Sequence, residues 1–327
     1  MKDPFPLKDK TVVITGASSG VGRAAALEFA VTGARLVLAA RNEAALGALI
    51  EECEAAGGHA IAVVTDVTEP ANMIRLAEAA NRYGGAIDVW INNAGVLAAG
   101  EFDKTPVEIH THVIKTNLLG YLYGAHAVLP YFRDQQKGIL INNISVGGYL
   151  PVPYGVGYSA SKFGLRGFSQ ALKAELSRLP GIVICDLYPA FLDTPGIQHA
   201  ANFTGKQLKP APPVYDPRRV AQAMVSLAKN PRSNKSVGSI AALLRISYGL
   251  FPVLTRNITR AVIGHYLKQA DPIPVTSGNV FDPLKFGTST HGGWGLPGKP
   301  RAHRKYLAGG LLLIAAFSGF ALLKNKR

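Results

Sequence analysis

Cysteine is scarce. Only Cys53 and Cys185 occur in 327 residues, far apart in the chain, which excludes the disulfide framework that small secreted proteins depend on and points to a reducing compartment. The amino terminus, MKDPFPLKDK, lacks an apolar run; charged and broken by proline, it holds nothing that directs secretion, so the folded part is expected to face the cytoplasm. Acid is scarce at the rear: residues 197–327 hold 19 Lys and Arg against 3 Asp and Glu, whereas residues 1–196 hold 16 against 18. The net charge of +14 therefore divides into −2 in front and +16 behind. No metal site is expected, because His199, His265 and His291 are too scattered to share an ion. Nor is nucleic acid an expected partner: no zinc pairing, RNP-type aromatic motif or coherent basic stripe accompanies the positive charge. What is present, 48% hydrophobic against 17% charged residues, suffices for one large or two small cores and excludes a disordered or fibrous chain.

A basic half needs an anionic partner, and the neighbouring apolar content favours phospholipid. Residues 306–323, YLAGGLLLIAAFSGFALL, are uncharged over eighteen positions, about 27 Å as a helix against a hydrocarbon core of roughly 30 Å. Arg301, Arg304 and Lys305 precede the segment and Lys324, Lys326 and Arg327 follow it, so cations flank both ends and do not set orientation. A single-pass C-terminal anchor with the remainder facing the cytoplasm is the simplest topology. A second apolar stretch, Ser239–Leu267, carries Arg245, Arg256 and Arg260 and is interrupted near Gly249 and Pro252, so it is too broken to span. Tyr248, Leu250, Phe251, Val253 and Leu254 would suit either a headgroup boundary or a lid helix over a pocket.

Residues 10–190 alternate short β-branched runs with longer helical patterns. TVVIT (11–15), RLVLA (35–39), AIAVV (60–64), IDVWI (87–91), GILINNI (138–144) and GIVICDLY (181–188) read as strands, with helices near 20–32, 43–56, 69–83, 107–133 and 157–178. Apolar runs without alternation imply strands buried on both faces, and the intervening helices imply right-handed crossovers. The expected fold is thus an α/β doubly wound parallel sheet of the Rossmann type, the architecture that binds dinucleotides. Beyond Thr194, DPRRVAQAMVSLAKN (216–230) reads as a helix with an Asp N-cap and NKSVG (234–238) as a last strand. The division is then a dinucleotide-binding domain over 8–238, an apolar lid or membrane-facing segment over 239–270, an irregular Gly- and Pro-rich linker over 271–305, and the anchor over 306–323.

TGASSGVG (Thr15–Gly22) follows the first strand and opens the first helix, the context in which a glycine pattern cradles phosphate. Gly16 permits the tight turn, Gly20 lets backbone approach a pyrophosphate, and Gly22 lets helix and sheet pack closely. The helix N-terminus adds free N–H groups and a positive dipole end. After the second strand, where NAD-binding folds place a carboxylate for the ribose hydroxyls, the chain reads Ala39-Ala40-Arg41. A guanidinium there can pair with a 2′-phosphate, which favours NADP(H) over NAD(H).

Tyr158 and Lys162 are four apart on a predicted helix and share one face, so the ammonium is expected to stabilise phenolate and lower the tyrosine pKa. Ser145 ends a strand at the carboxyl edge of the sheet, where its hydroxyl can orient a carbonyl oxygen.

With those residues in place, the chain resembles the short-chain dehydrogenase/reductase family over about residues 8–195. The resemblance rests on T-G-x-x-x-G-x-G at Thr15–Gly22, Asp66 after the third strand, NNAG at Asn92–Gly95, Asn117, Ser145, and Y-x-x-x-K at Tyr158–Lys162. It implies that Tyr158 is the general acid/base, that Ser145 polarises the substrate oxygen, that Lys162 also holds the nicotinamide ribose, and that Asn117 supports a proton-relay water. It further implies a cofactor set of Thr15, Gly16, Ser18, Ser19, Gly20, Val21 and Gly22 in the loop, with Asp66 and Val67 at the adenine. Asn93, Ala94 and Gly95 would line the wall, and Pro189 and Thr194 would lie at the carboxamide. Two positions depart from the family: Ala190 follows Pro189 where glycine is usual, and Ser19 stands where NADP-preferring members are often basic. The expected activity is an NADP(H)-dependent carbonyl/alcohol oxidoreductase acting on a lipophilic substrate, as a homodimer or tetramer through the helices at 107–133 and 157–178. A catalytically idle dinucleotide sensor or membrane scaffold would use the same glycine loop.

Overall fold

The chain's computed structural model describes residues 6–294. Its first half runs β1 (Thr11–Thr15), α1 (Gly20–Ala30), β2 (Arg35–Ala40), α2 (Glu43–Ala55), β3 (His59–Val64), α3 (Pro70–Gly84) and β4 (Val89–Asn92). The second half adds β5 (Ala98–Ala99), α4 (Val107–Ile114), α5 (Gly120–Gln135), β6 (Gly138–Asn143), α6 (Val156–Glu175), β7 (Ile182–Pro189), β8 (Ala201–Asn202), α7 (Arg218–Lys229), β9 (Asn234–Val237), α8 (Ser239–Leu250) and α9 (Pro252–Gln269). Seven strands form one parallel sheet in the order β3-β2-β1-β4-β6-β7-β9, and β5 pairs with β8 apart from it. This is the doubly wound Rossmann-like arrangement. The strand order reverses between β1 and β4, and the crevice at their carboxyl ends is where such sheets bind ligands.

Both faces of the sheet are covered, as the uninterrupted apolar runs require. Val12, Ile14, Leu36, Leu38, Ile91 and Ile141 pack on one side against Phe29 of α1, Leu46 and Leu49 of α2, and Met224 and Leu227 of α7. Val13, Val37, Trp90, Leu140 and Ile184 pack on the other against Met73 and Leu76 of α3, Val128 and Phe132 of α5, and Leu172 of α6. The strand β3 differs from its expected burial on both faces. It lies at the sheet edge, so Val64 stays exposed and the strand alternates between buried and open positions.

Three further elements refine the sequence reading. The helix expected over 107–133 is one rod interrupted by a wider turn at Lys115–Leu119, and that turn carries Asn117. The helix expected from 216 begins at Arg218, because Pro217 occupies the flanking position; Asp216 still caps it by accepting from the Arg218 N–H at 2.8 Å. Ser239–Leu267 is two helices meeting at Phe251–Pro252, and among the described residues no helix is long and apolar enough to cross a membrane. The anchor expected at 306–323 and its flanking cations lie outside the described residues. Residues 271–294 carry no helix; they run back over the carboxyl edge of the sheet, bridging Asn202 at Thr276 and Lys206 at Pro272.

Candidate active site

The turn from β1 into α1 is built for close approach. Gly16 and Gly20 both take positive φ, +65° and +54°. A Cβ on Gly16 would lie 2.7 Å from the Ala94 Cα, and one on Gly22 would lie 2.1 Å from the Gly16 carbonyl oxygen, so a side chain at either position would force the loop from its packing. Thr15 and Asn93 fasten this turn to the end of β4. The Thr15 Oγ1 donates to the Ile91 carbonyl at 3.3 Å and accepts from the N–H groups of Asn93 and Ala94 at 2.9 and 3.1 Å. In return the Asn93 amide donates to the Thr15 carbonyl at 3.0 Å. Loop and NNAG segment are therefore one rigid unit, with Gly95 close against the Asn117 amide oxygen.

Across the crevice, α6 begins early enough to present Tyr158 and Lys162 from one face. Ser145, just past β6, sits at φ +97°, a conformation costing on the order of 1–3 kcal/mol outside glycine, of a kind that clusters at functional sites. Its hydroxyl accepts from the Gly147 N–H at 3.2 Å and hydrogen-bonds to Tyr158. A Cβ on Gly147 would stand 2.9 Å from the Tyr158 ring and 3.6 Å from both hydroxyl oxygens, so only glycine lets the two groups converge. The Lys162 Nζ lies 5.7 Å from the centre of the Tyr158 ring and 5.2 Å from that of Tyr121, and donates to the Asn143 carbonyl at 3.4 Å. Asn117 is wholly buried; its amide accepts from the Val96 N–H and donates to the Val96 carbonyl, both at 2.8 Å, and donates to Ser161 at 3.3 Å.

The electrostatics reverse one expectation. Burial raises the Tyr158 pKa, with the Ser145 hydrogen bond opposing it, and burial lowers the Lys162 amine from 10.5 to about 7. Desolvation of the phenol is the larger effect and outweighs what favours the phenolate. At neutral pH the tyrosine is a phenol, held ready to give its proton.

These groups line one cavity of about 830 Å³, a ligand-sized volume. Every residue expected at the site reaches its wall except Thr15 and Gly22, which stand behind the loop and shape it. Pro189 and Thr194 lie on this wall, with Ala190 packed near Gly238. Arg41 also lines it, with its guanidinium donating to the carbonyls of Phe281 at 2.6 Å, Asn279 at 2.6 Å and Val280 at 3.4 Å. Several lining residues were not singled out in the sequence. An apolar wall comes from Leu208, Pro210, Val262, Ile263 and Leu267, and a further wall from residues 279–288. The apolarity of 197–270 announced the first wall, and no periodicity announced the second. Among the described residues no group of three or more His, Cys, Asp and Glu could hold a metal ion.

A glycine turn packed too closely for any side chain, a helix N-terminus facing the cavity and a cavity at the switch point fit a dinucleotide; the Ser-Tyr-Lys cluster beside them fits an oxidoreductase. The sequence profile of the short chain dehydrogenase family matches residues 10–203, and the chain belongs to that family. An uncharacterized oxidoreductase of Bacillus subtilis, YxnA, is 35% identical over 264 residues, 79% of this chain and 74% of that protein. An uncharacterized oxidoreductase of Staphylococcus saprophyticus is 39% identical over 170 residues, 52% of this chain and 68% of its own. Two solved structures are similar, each with a TM-score of 0.61. One is a metagenomic short-chain oxidoreductase in complex with NADP, 28% identical, covering 71% of this chain and 98% of that one. The other is an alcohol dehydrogenase from the archaeon Thermococcus sibiricus complexed with 5-hydroxy-NADP, 26% identical, covering 71% and 97%.

Proposed function

We propose that this chain is an NADP(H)-dependent oxidoreductase that interconverts a carbonyl and a primary or secondary alcohol on a lipophilic substrate, working at a membrane surface. The observation that carries this reading is the convergence of the Ser145 and Tyr158 hydroxyls at one wall of the cavity, above the buried Lys162 amine. When bound, the nicotinamide supplies hydride to the carbonyl carbon. The Ser145 hydroxyl donates to the carbonyl oxygen and orients it, and Tyr158, kept protonated by burial, gives its proton to that oxygen as charge develops. Lys162 hands positive charge to the same end of the cavity while protonated. Gly16, Ser18, Ser19, Gly20 and Val21 would hold the pyrophosphate side, Asp66 and Val67 the adenine, and Asn93, Ala94 and Gly95 the wall between. Pro189 and Thr194 would meet the carboxamide, and Asn117 would support the proton relay.

NADP(H) is favoured over NAD(H) by the absence of an acid after β2, by Arg41 at that position, and by the NADP and 5-hydroxy-NADP held by the two similar structures. The lipophilic substrate is favoured by the wall of Leu208, Val262, Ile263 and Leu267. Membrane association is favoured by the apolar segment 306–323 and by the α8–α9 elbow, where Leu250 is 68% and Phe251 60% exposed. Between Pro217 and Ala270 there is no Asp or Glu, while Arg245, Arg256 and Arg260 stand exposed near that elbow, a composition suited to anionic headgroups. A homo-oligomer through α4, α5 and α6 belongs to the same reading.

The test is NADPH oxidation by the purified protein across a panel of lipophilic aldehydes and ketones, with NADH in parallel. Turnover faster with NADPH supports the proposal; NADPH binding without turnover on any carbonyl would replace it with a dinucleotide sensor. Flotation of the full chain with phosphatidylserine vesicles tests the membrane part: flotation kept in neutral vesicles credits the apolar segment 306–323, and flotation lost there credits the basic elbow alone.

A further inference from the structure

The segment Asp271–Trp294 is irregular, yet it is fastened along its length to groups that a dinucleotide would need. Arg41 spends three of its hydrogen bonds on the carbonyls of Asn279, Val280 and Phe281, and the Asn42 amide donates to the Leu284 carbonyl at 3.3 Å. The Gly20 N–H, inside the phosphate loop, donates to the Ser289 carbonyl at 3.0 Å. At the other end, Asp193 accepts from the N–H groups of Gly292 at 3.1 Å and Trp294 at 2.7 Å, and Gln198 donates to the Gly292 carbonyl at 2.8 Å. Val280 is fully buried against Val96, Ile109, Val113 and Ala201, so the segment is pinned as well as tied. Asn279, Pro283, Leu284, Phe286, Gly287 and Thr288 line the same cavity as the glycine loop and Arg41. The strap thus borders the cavity, taking the Gly20 N–H and three Arg41 hydrogen bonds and leaving the remaining volume open.

We infer that residues 271–294 are a strap that closes over the bound dinucleotide and must lift for it to be exchanged, with Arg41 as the latch. This rests on the NADP(H) reading above. A guanidinium has five N–H donors, so one that holds three strap carbonyls keeps donors for a 2′-phosphate. One side chain then ties the cofactor to its own cover, and closure is tighter over NADP(H) than over NAD(H). The strap is drawn from backbone carbonyls on a Gly- and Pro-rich run, bonds that can be released together without unfolding the sheet.

The test uses the full chain. Trypsin cuts after Lys285, an exposed strap residue, and saturating NADPH is expected to slow that cut at least tenfold, NADH less. The second arm is Gly287→Val. Gly287 has φ +69°, and a Cβ there would stand 2.2 Å from the His199 Nε2, so the substitution wedges the strap off its seat. NADPH release, followed by the fluorescence of the bound nucleotide in a stopped-flow instrument, is expected to be at least tenfold faster from G287V. Cleavage at Lys285 that NADPH leaves unchanged or accelerates overturns the inference in the parent protein, whatever the variant does. NADPH binding with equal release rates from parent and variant overturns it too. Failure of NADPH to bind either protein overturns the cofactor reading and the strap with it.

Discussion

Replacing Lys162 by methionine keeps an unbranched side chain of similar volume and removes the amine, so it isolates what the buried charge costs the fold. Burial lowers that amine from 10.5 to about 7. At about 1.4 kcal/mol for each pH unit, the displacement corresponds to on the order of 5 kcal/mol of charge desolvation below pH 7. The Asn143 carbonyl, which accepts from the amine, and solvent access through the cavity reduce this, and roughly half is expected in a measurement. The folded chain binds the lysine proton less tightly than the unfolded chain does. Its cost is therefore fully present below about pH 7, falls as pH rises, and is gone near the unfolded value of about 10.4. K162M should be more stable than the parent by about 2 kcal/mol at pH 6 in urea, as read from the fluorescence of buried Trp90, with the advantage nearly gone at pH 10. The same variant should lose turnover, because the stabilised protein lacks the charge the site uses. An advantage equal at pH 6 and pH 9, or a K162M less stable at pH 6, would refute the claim that the fold bears a desolvated ammonium for its chemistry.

Arg41→Ala should weaken NADPH by about 10- to 100-fold more than NADH in equilibrium titrations, the loss of a charge-assisted contact to phosphate. Equal weakening of both would leave Arg41 only its hold on the strap carbonyls. Ser145→Ala should lower kcat about 10²-fold with NADPH affinity preserved, since the hydroxyl acts on the substrate oxygen; steady-state kinetics beside a binding titration separate the two. Undiminished kcat would remove Ser145 from the chemistry.

How much was legible depended on whether the signal was local. The glycine loop, the strands of the sheet and the Y-x-x-x-K spacing are short-range patterns, and the fold places Gly16, Ser18, Ser19, Gly20, Val21, Ser145, Tyr158 and Lys162 around a single cavity. Desolvation is not short-range. Sequence shows that Lys162 is one turn from Tyr158, but only packing shows that Lys162 is buried and Tyr158 half-buried, which turned the expected lowering of the phenol into a rise. Arg41 teaches the same lesson. Its position after β2 was evident, whereas the carbonyls of Asn279, Val280 and Phe281 that receive it lie some 240 positions away and have no side-chain signature. The strap itself has neither helical nor strand periodicity, so reading 271–305 as an irregular linker was all that pattern allowed. Gly278 and Gly287, where a Cβ would strike the backbone or ring of His199, are the nearest thing to a mark of its seat.

The central claim is that the Tyr158 hydroxyl passes the proton that accompanies hydride transfer, and the most direct measurement is kcat for Tyr158→Phe alongside its NADPH affinity. Removing one oxygen from a ring at the cavity wall should lower kcat by about 10²–10⁴ while NADPH binds within about threefold of the parent. Turnover that survives unchanged would contradict it, because the proton would then come from another group.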